Sequence, residues 1–342
     1  MIHFSQMKAT SRFIVFAAAS ALVLSCKGNA EEQETTADPA QSSSFTERTY
    51  AEISVKKGGE WQGKEYVGGT FENVQELTLP EGHTDHSYYI RYEGPGWENA
   101  QVGYRLYLDW RNAIDIYGKK TDTMVLSQVG QDGFDSYHEM APWGMDILKA
   151  GKSLGIGSYG RFMNDSVAKF RNVEKTHAQV SNSDARSEVQ VTYTGWTTGS
   201  ETTDLVSTLS IFPEDRFTKV KLKPSSLLEG LTTGIVKFED IDLVQKQSEG
   251  GNWGYIATYG AQTLVDDEDQ LGMAIFYMVG EVEEIKEGPH DHLVIFKASQ
   301  EPVTYYFLAA WEQEQNGLKT SGEFFADLDS KLETLEENGR LE

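Results

Sequence analysis

Cysteine is almost absent from this sequence, whose 342 residues include a single one, Cys26. One cysteine excludes a disulfide within the chain, and it excludes a zinc site built from several thiolates. If lipid is attached to Cys26, as the N-terminal pattern below indicates, a cysteine nucleophile is excluded as well.

Basic residues are also scarce, with 30 Lys and Arg against 53 Asp and Glu and a net charge of −23 at pH 7. This charge disfavours nucleic acid as a partner, because the phosphates would be repelled. An anionic ligand would therefore have to be bound by a local group of Arg and Lys side chains. High solubility alone is the other explanation of the acidic balance.

A hydrophobic run long enough to cross a membrane is lacking too. The apolar segment 13–24, which follows Lys8 and Arg12, is shorter than the roughly 20 residues that span a bilayer. Its length and basic flank are typical of a signal peptide. Ser25 and Cys26 at its end resemble the site that the lipoprotein signal peptidase cleaves, which predicts acylation of Cys26.

We therefore divide the chain into a signal peptide (1–25), a polar tether (26–46) and a folded domain (47–342). The tether is rich in Glu, Gln, Thr, Ser and Ala, so it buries too little apolar surface to order itself. Glu31 and Glu32 resemble the acidic export signals of surface lipoproteins. The expected location is the outer membrane, on its periplasmic or cell-surface side, with a lipid anchor in the membrane.

Helical periods are rare beyond residue 47, where apolar and polar residues alternate as in half-buried antiparallel strands. The segment after Thr320 is the exception, and Thr320-x-x-Glu323 forms a capping box at its start. This pattern predicts an all-β fold, a large antiparallel two-sheet sandwich with a short C-terminal helix. Two smaller sandwiches that meet near 184–187 are the alternative. The predicted strands are 104–109, 187–196, 204–212, 217–222, 235–238, 254–259, 272–279, 292–298 and 303–311.

Aromatic, His, Arg and Gly residues crowd together in residues 81–161, where strands alone would need mainly Val, Ile and Thr. On a strand over 104–109, Arg105, Tyr107 and Asp109 would share one face, with apolar neighbours on the other. Inside a concave sheet this polar face would form a hydrogen-bonding floor for a ligand. On the surface, Arg105 and Asp109 would be an ordinary ion pair.

Three motifs in this stretch are Tyr104-Arg-x-Tyr-x-Asp-x-Arg-Asn, Asp115-x-x-Gly-Lys-Lys and Tyr137-His-Glu-Met-x-x-Trp-Gly-Met-Asp. Together they resemble a family encoded in polysaccharide-utilisation gene clusters of Bacteroidota. That family long carried only a domain-of-unknown-function label, and it includes an ulvan oligosaccharide dehydratase. The resemblance implies that water is removed from a non-reducing-end uronic acid of an anionic oligosaccharide, which leaves a 4,5-unsaturated sugar. We expect the sandwich to be a supersandwich of the galactose-mutarotase-like type.

Such an elimination needs a cation for the carboxylate, a base for the C5 proton and an acid for the departing hydroxyl. The bidentate guanidinium of Arg suits the first role, and His and Tyr suit the others. Tyr137 and His138 are neighbours, so both can act only if their segment is irregular rather than a strand. We assign catalysis to His138, Tyr137, Arg105 and His292. We assign substrate binding to Arg91, Arg111, Arg161, Trp97, Trp143, His86 and Asp109, with Trp110 as a further member of an aromatic wall.

We expect no cofactor. His290 and His292 nevertheless have a spacing that a divalent metal ion uses, and His83 and His86 could add two ligands, although exposed turn histidines explain the same pattern. Two other functions stay open: a non-catalytic lipoprotein that captures oligosaccharides, and a glycoside hydrolase. The carboxylate candidates for a hydrolase are Asp109, Glu139 and Asp146. No serine-hydrolase site is predicted, because Gly157-Ser-Tyr-Gly lacks the spacing of a nucleophile elbow.

Overall fold

The alternating segments of the sequence form antiparallel strands in the computed structural model, which describes residues 48–342. The predicted signal peptide, Cys26 and the tether lie outside the described residues. In chain order the elements are β1 (Thr49–Gln62), β2 (Glu65–Val74), β3 (Glu76–Thr78), β4 (Gly96–Asn99), β5 (Val102–Leu106), β6 (Ile114–Lys119), β7 (Gly144–Asp146), β8 (Ile156–Met163), β9 (Ser166–Ala168), β10 (Lys175–Asn182), β11 (Ser187–Thr198), β12 (Glu201–Ile211), β13 (Thr218–Pro224), β14 (Leu231–Val236), β15 (Val244–Gln247), β16 (Trp253–Ala261), β17 (Gln270–Met278), β18 (Val282–Glu287), β19 (Asp291–Phe296), β20 (Val303–Trp311) and the helix α1 (Ser321–Asn338).

Three sheets contain these strands, and the predicted all-β class is confirmed. A nine-stranded sheet has the order β15-β16-β17-β20-β13-β12-β11-β10-β3, a six-stranded sheet the order β2-β1-β4-β5-β6-β7, and a five-stranded sheet the order β18-β19-β14-β8-β9. The two smaller sheets pack on the nine-stranded one, through β1 and β4 in one case and through β8 and β14 in the other.

The division into three sheets rather than two arises at the junction of β6 and β8. A single bridge joins them there, between Ile114 and Gly155. Gly155 has a φ of +72°, and a Cβ at this position would lie 1.9 Å from the carbonyl oxygen of Ile114. The chain therefore bends at Gly155 instead of extending the ladder, and the second layer of the sandwich is divided into two parts.

The predicted C-terminal helix is confirmed, together with its capping box. The Thr320 side chain accepts a hydrogen bond from the Glu323 amide, and the Glu323 carboxylate accepts one from the Thr320 amide. The apolar face of α1 packs on the outer side of the nine-stranded sheet, against residues such as Tyr306 and Leu308. No helix among residues 48–342 has the length and apolar character needed to cross a membrane.

The turn at 183–186 connects β10 to β11 as a hairpin inside the nine-stranded sheet. It is therefore not a linker between two sandwiches. The strand predicted over 104–109 ends at Leu106, because Asp109 lies in a turn whose Asn112 has a φ of +45°.

Candidate functional site

One face of the six-stranded sheet carries charged side chains that are buried. Tyr104 and Ile116 point into the core from β5 and β6, so their neighbours Arg105 and Asp115 lie on the opposite face. Arg105 and Asp115 are also direct partners in the register of the two strands. The buried charged residues of this polar face are Glu52, Glu98, Arg105, Asp115, Lys119 and Asp146.

Two irregular segments, 86–95 and 120–143, cover the polar face. Arg91 from the first segment forms an ion pair with Glu52 of β1. The amide of Leu126 from the second segment donates a hydrogen bond of 2.8 Å to Glu98 of β4. Of the eight non-glycine residues with positive φ in residues 48–342, four lie in the first of these segments: His86, Tyr88, Tyr92 and Glu93. Strained backbone concentrates at functional sites, so this cover is a candidate for one.

Arg105 is the centre of a hydrogen-bond network on this face. Its Nη2 donates to Asp115 at 2.8 Å and to Asp146 at 2.7 Å, and its Nε also donates to Asp115. Its Nη1 donates to the hydroxyl of Tyr137 at 3.0 Å and to the carbonyl of Tyr92. Because every nitrogen of this guanidinium has an acceptor in the protein, Arg105 positions other groups and has no free donor for a ligand carboxylate.

Tyr137 and His138 lie beside this network on a 3₁₀ turn, Ser136–His138. The irregular backbone brings both rings to the same place, with their centroids 4.4 Å apart. His138 Nδ1 lies 3.4 Å from Asp146 Oδ2, and 34% of the His138 side chain is exposed, whereas 1% of the Asp146 side chain is. The imidazole therefore has one nitrogen next to a buried carboxyl group and an edge that faces solvent.

The protonation states follow from burial and from the neighbouring charges. Burial lowers the pKa of His138 below its ordinary value, and the positive charge of Arg105 lowers it further. Burial also raises the pKa of Asp146 well above its ordinary value, and the nearby Asp115 adds to this effect. His138 is therefore an uncharged imidazole at neutral pH, which is the form that can accept a proton.

Tyr107 connects Arg105 to a second group at the edge of the polar face. Its ring lies between two guanidinium carbons, with Arg105 Cζ 4.7 Å and Arg111 Cζ 4.1 Å from the centroid. Its hydroxyl donates a hydrogen bond of 2.5 Å to Asp115. Arg111 in turn forms ion pairs with Asp109 at 2.6 Å and with Glu93 at 2.7 Å.

His86 and Trp143 also lie close to this network. The partly exposed ring of His86 is 5.3 Å from the ring of Phe134, which in turn is 5.6 Å from that of His138. Trp143 is half-buried and packs edge-to-face on Tyr117 at 5.9 Å. The structure thus brings together Arg105, Tyr137, His138, Arg111, Asp109, His86 and Trp143 from the sequence predictions, with Arg91 in the cover beside them.

Three predicted site residues lie elsewhere. Trp97 of β4 lies on the core face of the six-stranded sheet, opposite to the polar face, where it is fully buried and its Nε1 donates a hydrogen bond to Thr218. Arg161 of β8 forms an ion pair with Glu201 at 2.6 Å. His292 of β19 is buried in the five-stranded sheet, and neither of its ring nitrogens has a hydrogen-bond partner within residues 48–342.

The metal alternative receives no geometric support. His290 is exposed ahead of β19, whereas His292 is buried in it, so the two side chains do not share one accessible face. His83 uses both ring nitrogens, with Ser87 at 2.9 Å and the carbonyl of Leu108 at 2.8 Å. Residues 48–342 contain no group of three or more His, Cys, Asp or Glu that could hold a metal ion.

The carboxylates considered for a hydrolase have different environments. Asp109 is bound by Arg111, Asp146 is buried against Arg105, and Glu139 is exposed. Sequence reasoning missed Asp115 as a member of the network. Its position opposite Arg105 in a predicted hairpin was the available signal.

Sequence reasoning also overlooked Gly151-Lys-Ser-Leu-Gly, which has the spacing of a nucleophile elbow. The Ser153 hydroxyl is buried and donates a hydrogen bond of 2.6 Å to the carbonyl of Ala150. It also accepts one of 2.8 Å from the amide of Gly155. Ser153 therefore stabilises a turn, and no strand-to-helix elbow exposes it.

Comparison with known families identifies the chain at the family level. The model of a domain of unknown function, DUF4861, matches residues 20–339. The chain belongs to this family. No curated protein is significantly similar to it in sequence.

Among solved structures, the fold is similar to a provisionally assigned kojibiose phosphorylase from human microbiome. The two share 12% sequence identity and a TM-score of 0.35, and the match covers 70% of this chain and 32% of that one. The chain thus spans about a third of the length of that protein.

Proposed function

We propose that this DUF4861 protein is a carbohydrate-active dehydratase. It eliminates water from the non-reducing-end uronic acid of ulvan-type oligosaccharides and leaves a 4,5-unsaturated uronate. One observation carries the proposal: a half-exposed, uncharged His138 lies between Asp146 and the Tyr137 ring, and Arg105 hydrogen-bonds to both of those residues.

His138 is the general base in this reaction. Its Nδ1 faces Asp146 at 3.4 Å, which leaves Nε2 on the more exposed side of the ring for the C5 proton of the sugar. The C5–H electrons form the C4–C5 double bond, and the proton passes to Nε2. The buried carboxyl group of Asp146 holds the ring in this orientation during the transfer.

Tyr137 is the general acid. Burial raises the pKa of its hydroxyl above the ordinary value, so it holds its proton at neutral pH. Its oxygen accepts a hydrogen bond of 3.0 Å from Arg105. The Tyr137 side chain is buried in the free protein, and its proton passes to the departing C4 oxygen once the sugar has reached it. The C4–O bond breaks as this oxygen takes the proton and leaves as water, and Arg105 stabilises the resulting phenolate.

Binding of the substrate carboxylate, for which the sequence suggested Arg105, is assigned here to Arg111. Arg105 has all its nitrogens engaged, whereas Arg111 is bound at Nε and Nη2 and is partly exposed, with 13% of its side chain accessible. Arg111 also covers the Tyr107 ring at 4.1 Å, so a carboxylate bound to it would lie next to Tyr107, whose hydroxyl accepts a hydrogen bond from Arg105.

The test is incubation with saturated, uronate-ended oligosaccharides. The expected product absorbs ultraviolet light through its conjugated double bond, and its mass is lower than that of the substrate by one water. His138→Ala is expected to abolish this turnover while it retains binding. His177→Ala is the matched control, because His177 lies on β10 in another sheet.

The other outcomes distinguish the competing functions. Cleavage into two smaller sugars without ultraviolet absorbance would identify a glycoside hydrolase and would overturn the proposal. Binding without turnover of any uronate-ended substrate would identify a capture lipoprotein. Unchanged turnover in His138→Ala would remove His138 as the base.

We further propose that the enzyme is attached to the outer membrane by lipid on Cys26, which lies outside the described residues. Metabolic labelling with a fatty-acid analogue is expected to mark the native chain and not a Cys26→Ser variant. Label on both chains, or on neither, would contradict the anchor.

A further inference from the structure

A groove of about 480 Å³ beside the candidate site is lined by basic side chains. Of the described residues that line it, none is Asp or Glu, although the chain carries a net charge of −23. Acidic side chains outnumber basic ones almost two to one in this sequence. A lining whose charged residues are all basic is therefore unexpected from the composition. The lining residues that matter are Trp110, Arg111, Lys152, Lys169, Arg171 and His290.

Trp110 and Arg171 form a stacked pair at the entrance of the groove. The guanidinium carbon of Arg171 lies 3.4 Å from the centroid of the Trp110 ring, and the indole nitrogen donates a hydrogen bond of 3.2 Å to Asp85. Stacking keeps the guanidinium in one place while its edge N–H groups stay free. Within residues 48–342, no carboxylate lies within ion-pair distance of Arg171.

Lys169 lies deeper in the groove. Its ammonium donates a hydrogen bond to the carbonyl of Ser153, and no carboxylate of residues 48–342 lies within 4.0 Å of it. Burial lowers the pKa of Lys169 to about 8, although Asp291 and Asp109 oppose this effect. A desolvated cation without a close counter-ion gains more from a bound anion than an exposed one does.

We infer that this groove binds an anionic sugar residue through its carboxylate or sulfate group. Two cations, Lys152 and Arg171, are exposed at its mouth, and Lys169 is half-buried within it. Trp110 adds an aromatic side chain of the kind that packs on sugar rings. The polar neighbours Thr197 and Thr198 supply hydroxyl groups for hydrogen bonds.

The inference rests on the proposed function in one respect, that the ligand is a carbohydrate. Arg111 joins the two places, because it lines the groove and also covers Tyr107 at 4.1 Å. A sugar unit in the groove would therefore contact Arg111, the cation proposed to hold the substrate carboxylate. The groove is the part of the site that would select a charged oligosaccharide over a neutral one.

The test is isothermal titration calorimetry of the full mature chain with three probes of equal length. They are an unsulfated oligogalacturonate, a sulfated carrageenan oligosaccharide and an uncharged malto-oligosaccharide. We expect the charged probes to bind and the uncharged probe to bind at least about ten-fold more weakly, because hydrogen bonds between charged groups are stronger than those between neutral groups. Preference for one charged probe would identify the carboxylate or the sulfate as the ligand group.

The variant is Lys152→Gln combined with Arg171→Gln, since both side chains are exposed and their loss should leave the fold intact. Charged probes are expected to bind to it about ten-fold more weakly. Lys221→Gln combined with Lys223→Gln, two exposed lysines of β13 outside the groove, removes the same number of charges and should bind normally. Equal binding of all three probes, or normal binding by the double variant, would overturn the inference.

The outcome for the groove is separable from that for the proposed chemistry. Charge-dependent binding that the double variant loses, together with no turnover of any uronate-ended substrate, would retain the groove and reject the dehydratase. Turnover of a uronate-ended substrate, with full activity and affinity in the double variant, would retain the dehydratase and reject the groove as a binding site.

Discussion

Asp146 Oδ2 lies 3.4 Å from His138 Nδ1, and the same oxygen accepts a hydrogen bond of 2.7 Å from Arg105. A strand residue thus connects a buried guanidinium to a half-exposed imidazole on a turn. Because Asp146 is held by Arg105 and by its position in β7, it fixes the orientation of the His138 ring.

Asp146→Asn should reduce kcat about 10²-fold or more while KM changes little, because the ring of His138 loses the carboxyl group that fixes its orientation. Steady-state kinetics on a uronate-ended oligosaccharide measure both constants. The control is Asp267→Asn, an exposed aspartate on a distant turn. A rise in KM at unchanged kcat would mean that Asp146 acts in substrate binding instead.

The pH dependence of kcat/KM should reveal the state of His138. Burial, assisted by Arg105, lowers the pKa of this imidazole from its ordinary 6.5. A base works only when it is deprotonated, so activity should be lost as the pH falls through a midpoint below 6.5. A midpoint at or above that value, measured with a substrate whose carboxylate is ionised throughout, would contradict the assignment.

Tyr137→Phe should remove the proposed acid and leave the fold intact. The ring keeps its edge-to-face packing on Tyr117 at 6.1 Å, and Arg105 loses one of several acceptors. We expect kcat to fall about 10²- to 10⁴-fold and the free energy of unfolding to fall by about 1 kcal/mol. Urea denaturation separates the two effects, and a loss of activity explained by unfolding would remove the catalytic role.

Lys119→Met should destabilise the polar face. Lys119 Nζ lies 2.7 Å from Glu98, and both side chains are fully buried. Loss of the ammonium leaves the carboxylate buried without its partner, which costs about 3–5 kcal/mol. Addition of Glu98→Gln should recover part of this loss in urea denaturation, whereas equal stability of the single and double variants would show that the unpaired carboxylate is not the cause of the loss.

Asp291 should give the protein a distinct pH dependence of stability. Burial raises its pKa from 3.8 to about 7, so the folded chain holds a proton that the unfolded chain releases. The contribution of Asp291 to the free energy of unfolding is complete below about pH 4 and is lost as the pH rises to about 7. Asp291→Asn should retain the hydrogen bond from the Leu154 amide. It should also remove the fall in the free energy of unfolding between about pH 4 and pH 7 that Asp291 causes. An unchanged slope would show that Asp291 is ionised in the folded chain.

Much of the fold could be predicted because local signals and packing agree. Val189, Val191 and Tyr193 alternate in the sequence and are buried on one face of β11. The capping box at Thr320 similarly marks the start of α1. The division of the second layer was not predictable, because a bend at Gly155 depends on how closely Ile114 approaches it.

The residue types of the candidate site could be predicted from the sequence, but the hydrogen bonds between them could not. The chemical character of Arg105, Tyr137 and His138 can be read from the motifs that contain them. Their hydrogen bonds cannot, because Asp146 reaches Arg105 only through the pairing of β6 with β7. The basic groove was missed for a related reason. Lys152, Lys169 and Arg171 belong to no motif in the sequence, and they meet only where the loop before β8 and the loop after β9 come together.

The carboxyl groups that bind Arg105 lie on strands, whereas the proposed acid and base lie on an irregular turn. Asp115 and Asp146 are fixed in strands, whereas Tyr137 and His138 are on a turn outside the strand ladders. Insertions or substitutions between residues 120 and 143 can therefore alter which ligands reach the imidazole without disturbing the strands that orient it. Related chains can diversify in specificity by changing this one covering segment while the framework beneath it stays the same.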